Sequence, residues 1–188
     1  MKTPANNAFI NFIGFQLGWF ACVLGAANQL PWLGVLISAP IIAWHLWQAG
    51  NPRLELTLML IATFFGTLFD QSLLSLGLIE YPASTWPALL IPVWMMVLWM
   101  LFVTTLNVSL RWMRGKYLIA TIFGLVGGPL AYLGGAKLGA MHLLKPTEIM
   151  VALSIGWGIC MPTLVWLSAR LDGYTHIRAA RKATIHHA

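Results

Sequence analysis

Apolar positions along the chain gather into six long runs, parted by short segments in which Pro, Gly, Asn and charged residues concentrate. A helix needs about 20 mostly apolar residues to cross a hydrocarbon layer of ~30 Å. The runs at 9–27, 32–49, 54–79, 87–110, 117–136 and 149–171 therefore predict an all-α protein, a polytopic transmembrane helical bundle of six spans. Residues 1–171 form one membrane domain in this reading, followed by a basic tail at 172–188. Pro40, Pro92, Pro129 and Pro162 interrupt runs, and Gly124 followed by Gly127-Gly128-Pro129 predicts a kinked or unwound stretch in the fifth.

Charge adds direction. Of the 11 Lys and Arg residues, nine (Lys2, Arg53, Arg111, Arg114, Lys116, Arg170, Arg178, Arg181 and Lys182) fall in segments that alternating spans place on one side. Only Lys137 and Lys145 fall on the other. The positive-inside rule then predicts both termini in the cytoplasm. A formal charge of +6 is accounted for by basic loops facing an anionic leaflet, so membrane lipids and not nucleic acid are the expected contacts. With 59% hydrophobic and 9% charged residues and a mean hydropathy of +0.78, the chain lacks the polar side chains to coat a soluble globule.

The first run follows Lys2 and ends in Gly25-Ala26-Ala27, a small-x-small sequence of the kind signal peptidase cleaves. Its length, and a stripe of small residues at Gly14, Gly18, Cys22 and Ala26, predict instead a retained span that packs against another helix. Cys22 and Cys160 both lie within spans, which removes them as evidence of an oxidising compartment. No His-x3-His, Cys-x2-Cys or paired-acid spacing occurs within a helix, and there is no phosphate loop, nucleophile elbow or dinucleotide fingerprint. No metal and no cofactor are expected.

Chemistry inside the membrane falls first to Asp70. A charge in hydrocarbon costs at least ~2.5 kcal/mol, so intramembrane acids have a partner or line a pathway. Asp70 shares a helical face with Ala62 and Gly66, which predicts that it points into the bundle. Thr63, Thr67, Gln71 and Ser75 form a polar stripe beside it. At ~1.5 Å per residue, Asp70 lies ~24 Å along the third helix and Lys137 ~30 Å along the fifth, which predicts an Asp70–Lys137 pair; an interfacial anchor is the other reading of Lys137. Asp70, Gln71, Lys137 and Thr67 make the first candidate site. His45, ~17 Å lower, is out of Asp70's reach and at the depth of Glu55, Asn107 and Arg111, which together make a second candidate at the cytoplasmic mouth. Trp32, Trp47, Trp86, Trp112 and Trp166 fall near interfaces. Trp19, Trp94, Trp99 and Trp157 fall deeper, where they pack in the core or line a cavity for an apolar ligand.

The strings FQLGWFACVLGA at 15–26, NVSLRW at 107–112 and GPLAYLGGAKLGA at 128–140 resemble a family of small six-span bacterial inner-membrane proteins known only as a domain of unknown function. The likeness runs to about Arg170. It implies an inner-membrane location and genes that lie near those of fatty-acid-modifying enzymes such as cyclopropane synthases, and it brings no catalytic residues. Three functional classes stay open: an accessory factor or enzyme of membrane-lipid modification, a small-solute or proton-coupled transporter, and an assembly subunit that meets a partner or a second copy through the Gly14/Gly18 or Gly124/Gly128 faces.

Overall fold

A computed structural model describes residues 4–82 and 89–174. Among these residues six α-helices follow one another: α1 (Pro4–Ala27), α2 (Pro31–Gln48), α3 (Pro52–Ser75), α4 (Val93–Leu106), α5 (Tyr117–Lys137) and α6 (Pro146–Arg170). Four of them contain stretches long and apolar enough to cross a membrane, at Asn7–Ala27, Pro52–Ser75, Tyr117–Lys137 and Pro146–Arg170. Outward-facing residues are large and apolar; Phe65 is 65% and Leu118 74% exposed. In a membrane protein such a surface meets lipid rather than water.

Proline starts three helices. Pro31, Pro52 and Pro146 occupy the first turns of α2, α3 and α6, where the missing N–H costs no hydrogen bond. Helices α3 and α5 end alike: Gly77 (φ 63°) and Gly139 (φ 91°) take the left-handed conformation, and the next amides, of Leu78 and Ala140, return to the carbonyls of Leu73 and Gly135. The two segments that leave these ends pair as two-residue antiparallel strands, β1 (Ile79–Glu80) and β2 (His142–Leu143).

Two predictions about helix shape are corrected. The fourth run was expected to be helical over 87–110, yet α4 holds 14 residues, ~21 Å. Extended Pro92 (ψ 154°) sets its start, and Asn107 leads into a 3-10 turn at Arg111–Met113. The fifth run was expected to kink or unwind; it does not unwind, and α5 stays helical through Gly127-Gly128-Pro129.

By their closest contacts the helices form two groups. Helix α4 packs against α1, α2 and α3, while α5 and α6 form a close hairpin of their own. Small residues set both contacts. A Cβ at Gly18 would lie 2.4 Å from Leu101 of α4, and one at Gly34 would lie 2.5 Å from the Cys22 Cα. Cβ atoms at Gly124 and Gly128 would come within 2.1 and 2.2 Å of Trp157 on α6. The faces expected to receive a partner helix are thus filled from within, Gly14/Gly18 by α2 and α4 and Gly124/Gly128 by α6. Backbones approach this closely only where a side chain is missing.

Candidate functional site

Asp70 is fully buried, as its shared face with Ala62 and Gly66 required. Gly66, one turn earlier, makes room for the Trp99 ring, since a Cβ there would lie 2.1 Å from it. The Trp99 indole N–H then donates to Asp70 Oδ2 at 2.7 Å, and the Tyr132 hydroxyl donates to Oδ1. One carboxyl group thereby ties α3 to α4 and α5. The predicted Asp70–Lys137 pair is not formed. Lys137 is exposed in the last turn of α5, where a cation meets the negative end of the helix dipole. Asp70 finds neutral donors in the core instead.

Gln71, the next residue, serves a different purpose. Its Nε2 donates to Leu89 O at 2.8 Å and its Oε1 accepts from Ile91 N at 3.1 Å. The side-chain amide thus pairs with backbone just ahead of α4, where no helix satisfies those groups. Non-helical backbone at membrane depth needs such a partner. Thr63 and Thr67 have buried hydroxyls without a hydrogen-bond partner among the described residues.

Against this layer lies a cavity of about 210 Å³ between α1 and α5. Phe12, Phe15 and Trp19 of α1 line one side, and Phe123, Gly127 and Ala131 of α5 the other. Trp99 and Phe102 of α4, with Trp157 of α6, form the floor. The Trp99 and Trp157 rings stack at 4.9 Å and 7°, with Phe102 edge-on to both. From Phe12 to Val23 the lining spans about 16 Å of helix. Tyr132 and Met141 stand toward the β1–β2 end, and Thr105, Ser109 and Leu110 toward the other. Of the four deep tryptophans, Trp19, Trp99 and Trp157 line the cavity, while Trp94 packs edge-on to Tyr81 away from it.

The second candidate group is one connected network. His45 Nε2 lies 2.9 Å from Glu55 Oε2, and Glu55 Oε1 accepts from Asn107 Nδ2 at 2.6 Å. Arg111 grips Asp172 with both terminal nitrogens, at 3.1 and 2.5 Å. Arg114 bonds Asp172, the Asn107 side chain and Ser168 O. The Gly173 amide donates to Glu55 at 2.8 Å, and the Tyr174 hydroxyl meets both His45 Nδ1 and His45 O. Burial, and after it the Glu55 charge, pushes the Tyr174 phenol above its ordinary range.

Sequence reasoning placed His45, Glu55, Asn107 and Arg111 together by depth. It missed Arg114, Asp172 and Tyr174. The signal was the Leu171-Asp-Gly-Tyr174 string, whose one acid follows directly on a span and faces two arginines of the preceding loop; that string was read as the start of a solvated tail. Trp86 and the tail residues Arg178, Arg181, Lys182, His186 and His187 lie outside the described residues.

Residues 8–163 match the family described as "Protein of unknown function (DUF2878)", and the chain belongs to that family. No curated protein and no solved structure matches it.

Proposed function

We propose that this family member is a bacterial inner-membrane protein of six spans with both termini in the cytoplasm, and that it holds a lipid acyl chain between α1 and α5 in the service of membrane-lipid modification. The orientation rests on the nine cations gathered in alternate segments. Helix α2, with 18 residues, and the shorter α4 supply the second and fourth spans.

The α1–α5 cavity carries the functional reading. Its lining is mostly aromatic and aliphatic along about 16 Å, it borders helices whose outer faces meet lipid, and Gly124, Gly127 and Gly128 leave room in its α5 wall. A flexible hydrocarbon chain suits such a site, because it offers apolar contact along its length and asks for few hydrogen bonds. Asp70 acts here as a positioning residue. By accepting from Trp99 and Tyr132 it fixes two of the rings that shape the cavity.

The test is a lipid and fatty-acid profile of cells lacking the gene, complemented with wild type, Gly127→Leu or Asp70→Asn. A Cβ at Gly127 meets nothing closer than the Phe123 ring at 3.6 Å, so leucine fills the cavity without displacing backbone. A profile altered by deletion and restored by wild type, but not by Gly127→Leu at normal abundance, supports the reading. An unchanged profile in deleted cells overturns it.

A further inference from the structure

The two ends of the bundle differ in charge. Around the end that carries residues 107–116, the described residues include Arg53, Arg111, Arg114, Lys116 and Arg170 against Glu55 and Asp172. At the β1–β2 end, Lys137 and Lys145 face Glu80 and Glu148. One end is strongly cationic and the other balanced.

The cavity reaches the cationic end. Ser109 and Leu110 line it, and the next residue is Arg111, which opens the 3-10 turn. Arg111 and Arg114 share the single carboxylate of Asp172. Lys116 is exposed, forms no ion pair within 4 Å among the described residues, and lies over the exposed Trp112 ring at 5.5 Å. Lys116 directly precedes α5, about 10 Å of helix from Phe123 in the cavity wall. An apolar channel along the span thus extends to Ser109 and Leu110, next in sequence to a turn that carries a tryptophan and is followed by a lysine, the pair suited to the carbonyl and phosphate level of a leaflet.

We infer that the α1–α5 cavity takes one acyl chain of an anionic phospholipid, drawn from the leaflet at the Ser109 end, with the headgroup phosphate against Lys116 and the Arg111–Met113 turn. This rests on the acyl-chain reading above and adds the headgroup class and the end at which it sits. The chain enters through the α1–α5 side and lies over Gly127 toward Trp157 and Tyr132. The headgroup stays in the interface and meets the surplus of positive charge. A free fatty acid would offer the same tail and an anionic end, so the experiment separates the two sources.

The full chain is reconstituted in vesicles doped with photoactivatable phosphatidylglycerol or phosphatidylcholine carrying the same diazirine-labelled acyl chain, or with the labelled fatty acid alone, and adducts are located by mass spectrometry. Wild type is expected to label in α1, α4 and α5 lining residues about fivefold more with phosphatidylglycerol than with phosphatidylcholine, and more than with the fatty acid. Lys116→Gln should bring the two phospholipids close to equal while adducts persist; Gly127→Leu should remove adducts of both. Equal labelling of wild type by both phospholipids, lost in Gly127→Leu, overturns the headgroup inference and leaves the acyl-chain reading standing. Preferential labelling by the fatty acid overturns the phospholipid assignment. Labelling that Gly127→Leu does not reduce overturns both.

Discussion

Asp70 and Glu55 are both fully buried carboxyls on α3, about 22 Å of helix apart, and they are satisfied in different ways. Glu55 belongs to a densely connected network, in which His45, Asn107, Arg111, Arg114, Asp172 and Tyr174 serve one another. Asp70 has two neutral donors, each of which also lines the apolar channel. A densely connected network holds segments together. A carboxyl that orients the walls of a channel acts on whatever enters the channel. Of two buried acids on one helix, the less connected lies nearer the proposed function.

The contrast breaks most forcefully at Glu55. Glu55→Ala strands His45, Asn107 and the Gly173 amide, and each buried polar group left without a partner costs about 1–3 kcal/mol, so lower thermal stability in detergent and reduced abundance are expected. Wild-type stability in this variant would refute the network account. Asp70→Ala leaves two donors unpaired at about 1–3 kcal/mol, with acyl labelling of the lining residues falling at the same time. A variant that unfolds more readily yet labels as wild type would strip Asp70 of its positioning role.

Gly127→Leu is expected to shift stability upward, by about 0.8 kcal/mol from helix propensity, while abolishing lipid occupancy. Stability and function then move in opposite directions, which no purely structural role of the site produces. The smallest effect belongs to Tyr174→Phe. The folded protein holds this phenol protonated with its pKa raised, so its contribution is complete below the ordinary value of 10.0 and is lost as pH rises beyond it. Wild type should lose stability as pH rises above about 10, the value of an unperturbed tyrosine, by more than Tyr174→Phe does. Parallel losses in unfolding scans would remove Tyr174 from the account.

The helical membrane fold was readable because hydrocarbon thickness imposes long apolar runs and the chain obeys that constraint. The inward aim of Asp70 followed from Ala62 and Gly66, since small residues mark where helices touch. Its partners did not follow. Depth arithmetic favoured Lys137 because opposite charges attract, but a fully charged pair at that depth must shed its water, and Trp99 and Tyr132 satisfy the acid without adding a second charge. The cavity was half visible in four deep tryptophans. Which three line it depends on α1 standing away from α5, and this spacing between helices leaves no periodic mark in the sequence.

The division into a four-helix body and the α5–α6 hairpin has a consequence for how the protein is made. Synthesis delivers α1 to α4 first, and at that stage Asp70 lacks Tyr132 while Glu55 and Asn107 lack the backbone of residues 171–173. The first body therefore waits in the bilayer with two acids incompletely served. The arriving hairpin is drawn in at both ends by these unmet bonds, and the channel is the seam that remains between the early half of the chain and the late one.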